Sequence, residues 1–297
     1  VDLSLPIEGG TITLITSEGI EFATMSYNRQ RSGVSEGLLP DGGAKRTKFT
    51  RGATPGAANI VPDFDGPRLN ELLAFSQTGA GDWVEILNDT DATVSLDGVS
   101  LAKSAYGSNG WVFPAGTKLS KGSFLVVLCD GDRPASSTNT GFSLSAEGGG
   151  LFLIDPDDFV ADSVEYGFQI ADRTIGQSAS KWRLLTEPTP GATNATTASF
   201  GNPLELVINE WMANPASGAD WFELYNPEDS PVNLSGLSLT DDPTAVGRTK
   251  FVIPDNAFIP AGGWVRWVAD GDTTVSYTHL RAHETGRNLV CRLLLEK

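Results

Sequence analysis

Histidine is almost missing from this chain. Its 297 residues hold two, His279 and His283, both close to the C-terminal end. Residues 1–274 therefore exclude His-ligated metals and imidazole acid–base catalysis. Cysteine is as scarce: Cys129 and Cys291 are too few for a disulfide framework. With no histidine upstream of the tail, Cys129 lacks the usual base of a thiol nucleophile. Its setting in the apolar run FLVVLCD reads as a buried structural thiol. No apolar run approaches the roughly 18 residues that a membrane-spanning helix needs, so no insertion is expected. Positive charge is in deficit, with 21 Lys+Arg against 37 Asp+Glu, a formal charge of −16 and a pI near 4.4. RQR (29–31) and AKR (44–46) are too small to form a groove for phosphates, so nucleic acid is not an expected partner. What is plentiful is glycine (33) and proline (17), with 7 Trp and only 2 Met. That balance belongs to short strands joined by many turns. The length suits two domains, or parts of three. The first residue is Val1 rather than Met, which reads as a cut edge.

The two histidines invite a metal reading, because a spacing of four puts both imidazoles on one helix face. They would supply only part of a coordination shell, and the zincin pattern needs Glu directly after the first His, where Leu280 stands. A second reading makes Arg281, Arg287, Arg292 and Lys297 a basic arm. The third is compositional: VSYTHLRAHET and LVCRLLLEK resemble the translated ends of a transposon-type sequencing adapter, with Gly286 to Asn288 in the place of its variable index. On that reading 275–297 is a non-native tail, and the genuine chain is interrupted near Thr274. The tail carries four basic and two acidic residues, so its removal leaves 17 against 35 and a net charge of −18.

Internal repeats organise the rest. LNELLAFSQTGAGDWVEILNDTDATVSLDGVSL (69–101) matches INEWMANPASGADWFELYNPEDSPVNLSGLSL (208–239). FPAGTKLSKGSFLVVLCDGD (113–132) matches IPDNAFIPAGGWVRWVADGD (253–272). GGTITLITSEGIEFATMSYNRQ (9–30) resembles GGLFLIDPDDFVADSVEYGFQ (149–169), with Tyr27 against Tyr166 and Gln30 against Gln169. ATPGAAN (53–59) resembles PTPGATN (188–194). The front of a unit thus occurs at 69 and 208, and its rear at 9 and 149. The expected division is a rear half at 1–60, a linker at 61–68, a whole unit at 69–194, a linker at 195–204, a front half at 205–274 and the tail. Each half alone is expected to expose core-facing residues such as Trp267, or to dock with the other into a composite sandwich.

The segments alternate as half-buried strands do. WVEILN (83–88) places Val84 and Ile86 on one face, leaving Glu85 for solvent or a cross-strand partner. WFELYN (221–226) does the same with Phe222, Leu224 and Glu223. In WVRWVA (264–269) Arg266 should point outward, which turns Val265, Trp267 and Ala269 inward, and with them the matching Leu125, Val127 and Cys129. LFLID and FVADSVEY flank DPDD as a hairpin. The glycines of LDGVSL and LSGLSL suggest a bend or bulge. Seven to nine short strands in about 125 residues suggest an all-β antiparallel sandwich.

The ordered set [L/I]NE, DWxE[I/L]xN, LxG[V/L]SL, FPAGTKLSKGSFLVVLCDGD, the GGLFLID hairpin and the closing TPGAxN resembles the bacterial lamin tail domain. It does so over all of 69–194, the rear half at about 1–60 and the front half at 205–274. The resemblance implies immunoglobulin-like β-sandwiches in tandem and no catalytic site. It also implies a place in large secreted or cell-surface bacterial proteins, as adhesion or positioning units, with a protein or surface-polysaccharide ligand and the neighbouring domains as partners. The rival reading is a set of accessory modules for a secreted enzyme whose catalytic domain is encoded elsewhere. Two groups of site residues remain. Asp82, Trp83, Glu85 and Asn88, with Asp220, Trp221, Glu223 and Asn226, either line a ligand surface or close turns and sandwich edges. Asp63, Asp65, Asp130 and Asp132 are candidate calcium ligands, although their acidic loops lack EF-hand spacing. No other cofactor is expected.

Overall fold

The computed structural model describes residues 4–30, 33–38, 41–43, 46–49, 53–59, 66–79, 81–104, 110–158, 160–240, 251–269 and 292–294. Asp63, Asp65, His279, His283, Cys291 and the second DGD loop lie outside these residues. The chain divides into two units, Val1–Asp63 and Phe64–Lys297, and the fold is all-β.

The first unit holds two antiparallel ribbons. β1 (Gly9–Ile15) pairs with β2 (Glu21–Asn28), and β3 (Ser35–Leu38) with β4 (Arg46–Phe49). Its first ribbon leaves large apolar side chains in water, among them Ile12 at 38%, Leu14 at 52% and Met25 at 38% exposure.

The second unit opens with a complete immunoglobulin-like sandwich. Its strands are β5 (Arg68–Leu73), β6 (Asp82–Leu87), β7 (Val94–Ser95), β8 (Ser100–Ala102), β9 (Trp111–Val112), β10 (Lys118–Leu119), β11 (Phe124–Cys129), β12 (Gly149–Ile154), β13 (Val160–Tyr166), β14 (Ile175–Ser178) and β15 (Lys181–Leu184). One sheet has the order β11-β6-β5-β14-β15. The other has β13-β12-β8-β9, and β10-β7 forms a side ribbon. Alternation turns Leu72, Val84, Ile86, Val127 and Cys129 of the first sheet onto Leu101, Leu151, Leu153, Val164 and Tyr166 of the second. Cys129 is buried as expected, and burial pushes its thiol up to about 12. Gly98 and its counterpart Gly236 make turns rather than bulges. Each has a left-handed φ, +76° and +77°, and each turn closes with a hydrogen bond, Val99 N–H to Leu96 O at 3.1 Å and Leu237 N–H to Leu234 O at 3.1 Å.

The C-terminal segment repeats the front of this sandwich. It comprises β16 (Val207–Met212), β17 (Asp220–Tyr225), β18 (Val232–Asn233), β19 (Ser238–Thr240), β20 (Phe251–Val252), β21 (Phe258–Ile259), β22 (Trp264–Ala269) and β23 (Arg292–Leu294). The order β16-β17-β22 reproduces β5-β6-β11, β18-β21 reproduces β7-β10, and β20-β19 reproduces β9-β8. On β19, β23 takes the edge that β12 takes on β8, with Leu239 opposite Leu293 as Leu101 is opposite Leu153.

Trp267 corrects the expectation of an exposed core in this half. It is 0% exposed, stacked on Phe222 (5.6 Å between centroids) and met edge-on by Phe168 (5.1 Å). Phe168 comes from the complete sandwich, and in return Phe258 of β21 packs into that sandwich's core. Backbone bonds lock the exchange: Phe258 N–H to Phe168 O (2.8 Å) and Gly167 N–H to Asp255 O (3.1 Å). The core-facing residue left open is Trp211 on β16, at 61% exposure, whereas its counterpart Leu72 is fully buried.

Candidate functional site

The outer face of β5 and β6 carries the most concentrated polar chemistry. The register shifts between Leu69 and Glu71, so the strand bulges at Asn70 and brings Glu71 opposite Glu85. Both carboxylates are fully buried. Glu85 was expected in water or against a cross-strand partner. It has the partner, Asn70, whose Nδ2 donates to its Oε1 at 2.7 Å, and it is fully buried.

Two buried carboxylates side by side are tolerable only if donors satisfy them. The donors arrive from more than a hundred residues downstream. Glu71 accepts from the Thr174 hydroxyl (2.6 Å), the Thr189 N–H (3.0 Å) and the Thr189 hydroxyl (2.8 Å). Glu85 accepts from the Gly191 N–H. Asn194 then bridges the ends of the module, accepting from Asn70 Nδ2 at 2.8 Å and donating to the Asn70 and Gln177 carbonyls at 3.1 and 3.0 Å. Burial pushes the Glu85 carboxyl up, and the charge on Glu71 adds to this, against the lowering effect of Gly191 N–H and Asn70. Gly191 sits at φ +80°, where the turn demands glycine. Gly176 is needed for space, since a Cβ there would lie 2.8 Å from Asn194 Nδ2 and 2.6 Å from Leu185 Cδ1. A carboxylate pair suggests acid–base chemistry. This one has all four oxygens engaged by internal donors and no exposed surface. It works as a clasp that fastens the closing TPGAxN segment to the sheet.

The other residues singled out in the sequence are placed as follows. Asp82 Oδ1 accepts from Ser76 N–H (3.1 Å), and burial raises its carboxyl. Trp83 is buried. Asn88 is fully buried and closes the turn after β6. Its Nδ2 donates to the Ala92 and Leu119 carbonyls (2.7 and 2.8 Å), and its Oδ1 accepts from Thr90 N–H (3.0 Å) and hydroxyl (2.7 Å). Asn226 repeats this with Ser230 O, Pro260 O and Glu228 N–H. Asp220 and Trp221 are half-buried on β17, and Arg266 lies 5.9 Å over the Trp221 ring. Glu223 takes Asn209 Nδ2 at 2.8 Å but, among the described residues, has no counterpart of the Gly191 donor, and Glu210 is exposed. Asp130 accepts from the Asp132 N–H (2.9 Å) and pairs with Arg133 (3.0 Å), so its carboxylate closes its own loop. Among the described residues no group of three or more His, Cys, Asp or Glu is arranged to hold a metal ion.

Asn70, Glu71, Thr189, Gly191 and Asn194 carry the clasp, and no role was assigned to them from sequence. Their signal was present. The NE pair recurs at 209–210 and the TPGAxN turn at 54–59, each at a fixed place in the repeat.

The family model of the Lamin Tail Domain matches residues 65–168 and again 201–292, more than half of the chain. Comparison with curated proteins and with solved structures gave no match.

Proposed function

Because this chain belongs to the lamin tail domain family, whose immunoglobulin-like modules are of a non-catalytic type, we propose that it is a stretch of a stiff tandem array that positions neighbouring domains or ligands. The parent would be a secreted or cell-surface bacterial protein, and its contacts would run through exposed sheet faces and end loops. The observation that carries this reading is the exchange of Phe168 and Phe258 between two successive sandwiches, which favours a fixed angle over a free hinge. The buried state of the Glu71–Glu85 pair supports a module without catalysis. The acidic chain supports protein or polysaccharide partners over nucleic acid.

The test is 15N relaxation on the full chain. The complete sandwich and the C-terminal segment should tumble with one correlation time. A Cβ at Gly167 would lie 2.6 Å from the Ala257 Cβ, so Gly167→Val should separate the two correlation times while each core stays folded. Independent tumbling of the unaltered chain would overturn the spacer reading.

A further inference from the structure

We propose that the clasp makes the complete sandwich a link that carries tension: a pull applied through the two chain ends is held between Asn70 and Asn194, and the core stays shut until that pair parts. This deepens the array reading, since an array that positions its neighbours passes any pull through each module in turn.

The chain enters the module at Arg68 and leaves it after Asn194, and the two points are tied directly to each other. Asn70, just inside the entry, donates from Nδ2 to Asn194 Oδ1 at 2.8 Å, and Asn194 Nδ2 donates back to the Asn70 carbonyl at 3.1 Å. The sheet needs that tie. β14 pairs with β5 only at Leu72 and Glu71, and the bulge at Asn70 ends the pairing on the entry side. There Asn194 takes the place of a backbone rung, its Nδ2 bonding the carbonyls of Asn70 on β5 and Gln177 after β14's Gly176. One amide thus joins the first strand, its neighbour and the last residue of the module.

The bonds beside it belong to the same short segment, 189–194. Thr189 N–H and hydroxyl reach Glu71 at 3.0 and 2.8 Å, and Gly191 N–H reaches Glu85. So short a segment loads its bonds together rather than one after another. Their acceptors are also shielded, with Glu71 and Glu85 at 0% exposure. Water helps an exposed hydrogen bond to open by taking over its partners, whereas a buried one parts into a dry site and leaves two acids short of donors.

The two ends of the module are held unequally. At the entry, Arg68 and Leu69 pair with Leu87 and Ile86 of β6, and Leu69 N–H also binds Asp162 Oδ2 at 2.9 Å. At the exit, the segment after Asn194 lies antiparallel along β15 through two backbone bonds, Thr186 N–H to Thr196 O (2.9 Å) and Ala198 N–H to Leu184 O (2.8 Å). Thr186 and Thr196 are exposed. This strap at a sheet edge peels first, and the clasp is what then stops the module from unravelling from its C-terminal side.

Single-molecule stretching of the full chain, held by its two ends at constant pull, tests this. The 15N relaxation experiment reads the angle between modules and stretching reads the inside of one, so either result can fail while the other stands. Opening of residues 68–194 lengthens the tether by about 400 Å, more than the shorter stretches on either side can give, so the event identifies itself and reports that the module was folded. Forced unfolding follows the unfolding rate. Asn194→Ala removes the tie and should speed opening under load at least about tenfold. Asn88→Ala weakens a turn away from this path, and should slow refolding while leaving the opening rate under load unchanged. Should Asn194→Ala give no event of that length, Gly176→Ala, which keeps the amide and only crowds it, takes its place with the same expected direction. Equal rates for the clasp variant and the unaltered chain, or an Asn88→Ala chain that opens as fast as the clasp variant, would overturn the proposal.

Discussion

Asn88 and Asn226 show how much a single amide can hold. Each is fully buried, and each spans the turn after its strand to a carbonyl more than thirty residues away, Leu119 or Pro260. Removing the amide strands buried carbonyls, which costs about 1–3 kcal/mol. Asn88→Ala should lower the stability of the complete sandwich by about that amount in urea unfolding, and Asn226→Ala should do so for the C-terminal segment. Asp162 makes a different test. It accepts from the Leu69 N–H at 2.9 Å, and burial raises its carboxyl above the usual 3.8. The folded chain then holds this proton to a higher pH than the unfolded chain. Between 3.8 and the raised value the native state binds more protons, so stability falls as pH rises through that window and levels off above it. Asp82 and Glu85 shift the same way for the same first cause. Melting midpoints over this window should decline less steeply in Asp162→Asn than in the unaltered chain. An identical slope would mean that the carboxyl titrates as it does when unfolded.

At the scale of elements, strand direction was legible because two copies constrain one another. Arg266 in one fixed the inward face of FLVVLC in the other, and Val127, Cys129, Val265 and Trp267 are buried accordingly. The burial of Glu85 was not legible from alternation. Period-two reading assigns a carboxylate to the wet face, and only a turn 106 residues later makes that face dry. The cover over Trp267 was not legible for a related reason, since Phe168 belongs to the preceding module. Local patterns report which way a side chain points and not what comes to lie over it. The clasp can be probed at Gly176, where Gly176→Ala should unseat Asn194. Hydrogen exchange at the Thr189 and Gly191 amides should then quicken, with a loss of about 1–3 kcal/mol from overpacking. The 130–132 loop gives the opposite expectation. Its Asp130 carboxylate is occupied by Asp132 N–H and Arg133, so calcium followed by chelator should leave the melting midpoint of the chain unchanged. A rise with calcium would bring back Asp63, Asp65, Asp130 and Asp132 as ligands.

For the molecule as a whole, the repeat boundaries in sequence and the joints in space do not coincide. Phe258 lies within the C-terminal repeat and packs in the core of the one before it. Excising residues 69–194 alone should therefore leave a gap beside Phe168, where Phe258 packs. Most of the sandwich's polar fastening also waits for its last few residues. A ribosome would extrude Glu71 and Glu85 first, and for more than a hundred further peptide bonds those two acids would have no backbone N–H from the closing turn to greet them. The nascent sheet must keep that flank hydrated until Thr189 to Asn194 emerge, and only then can the unit shut.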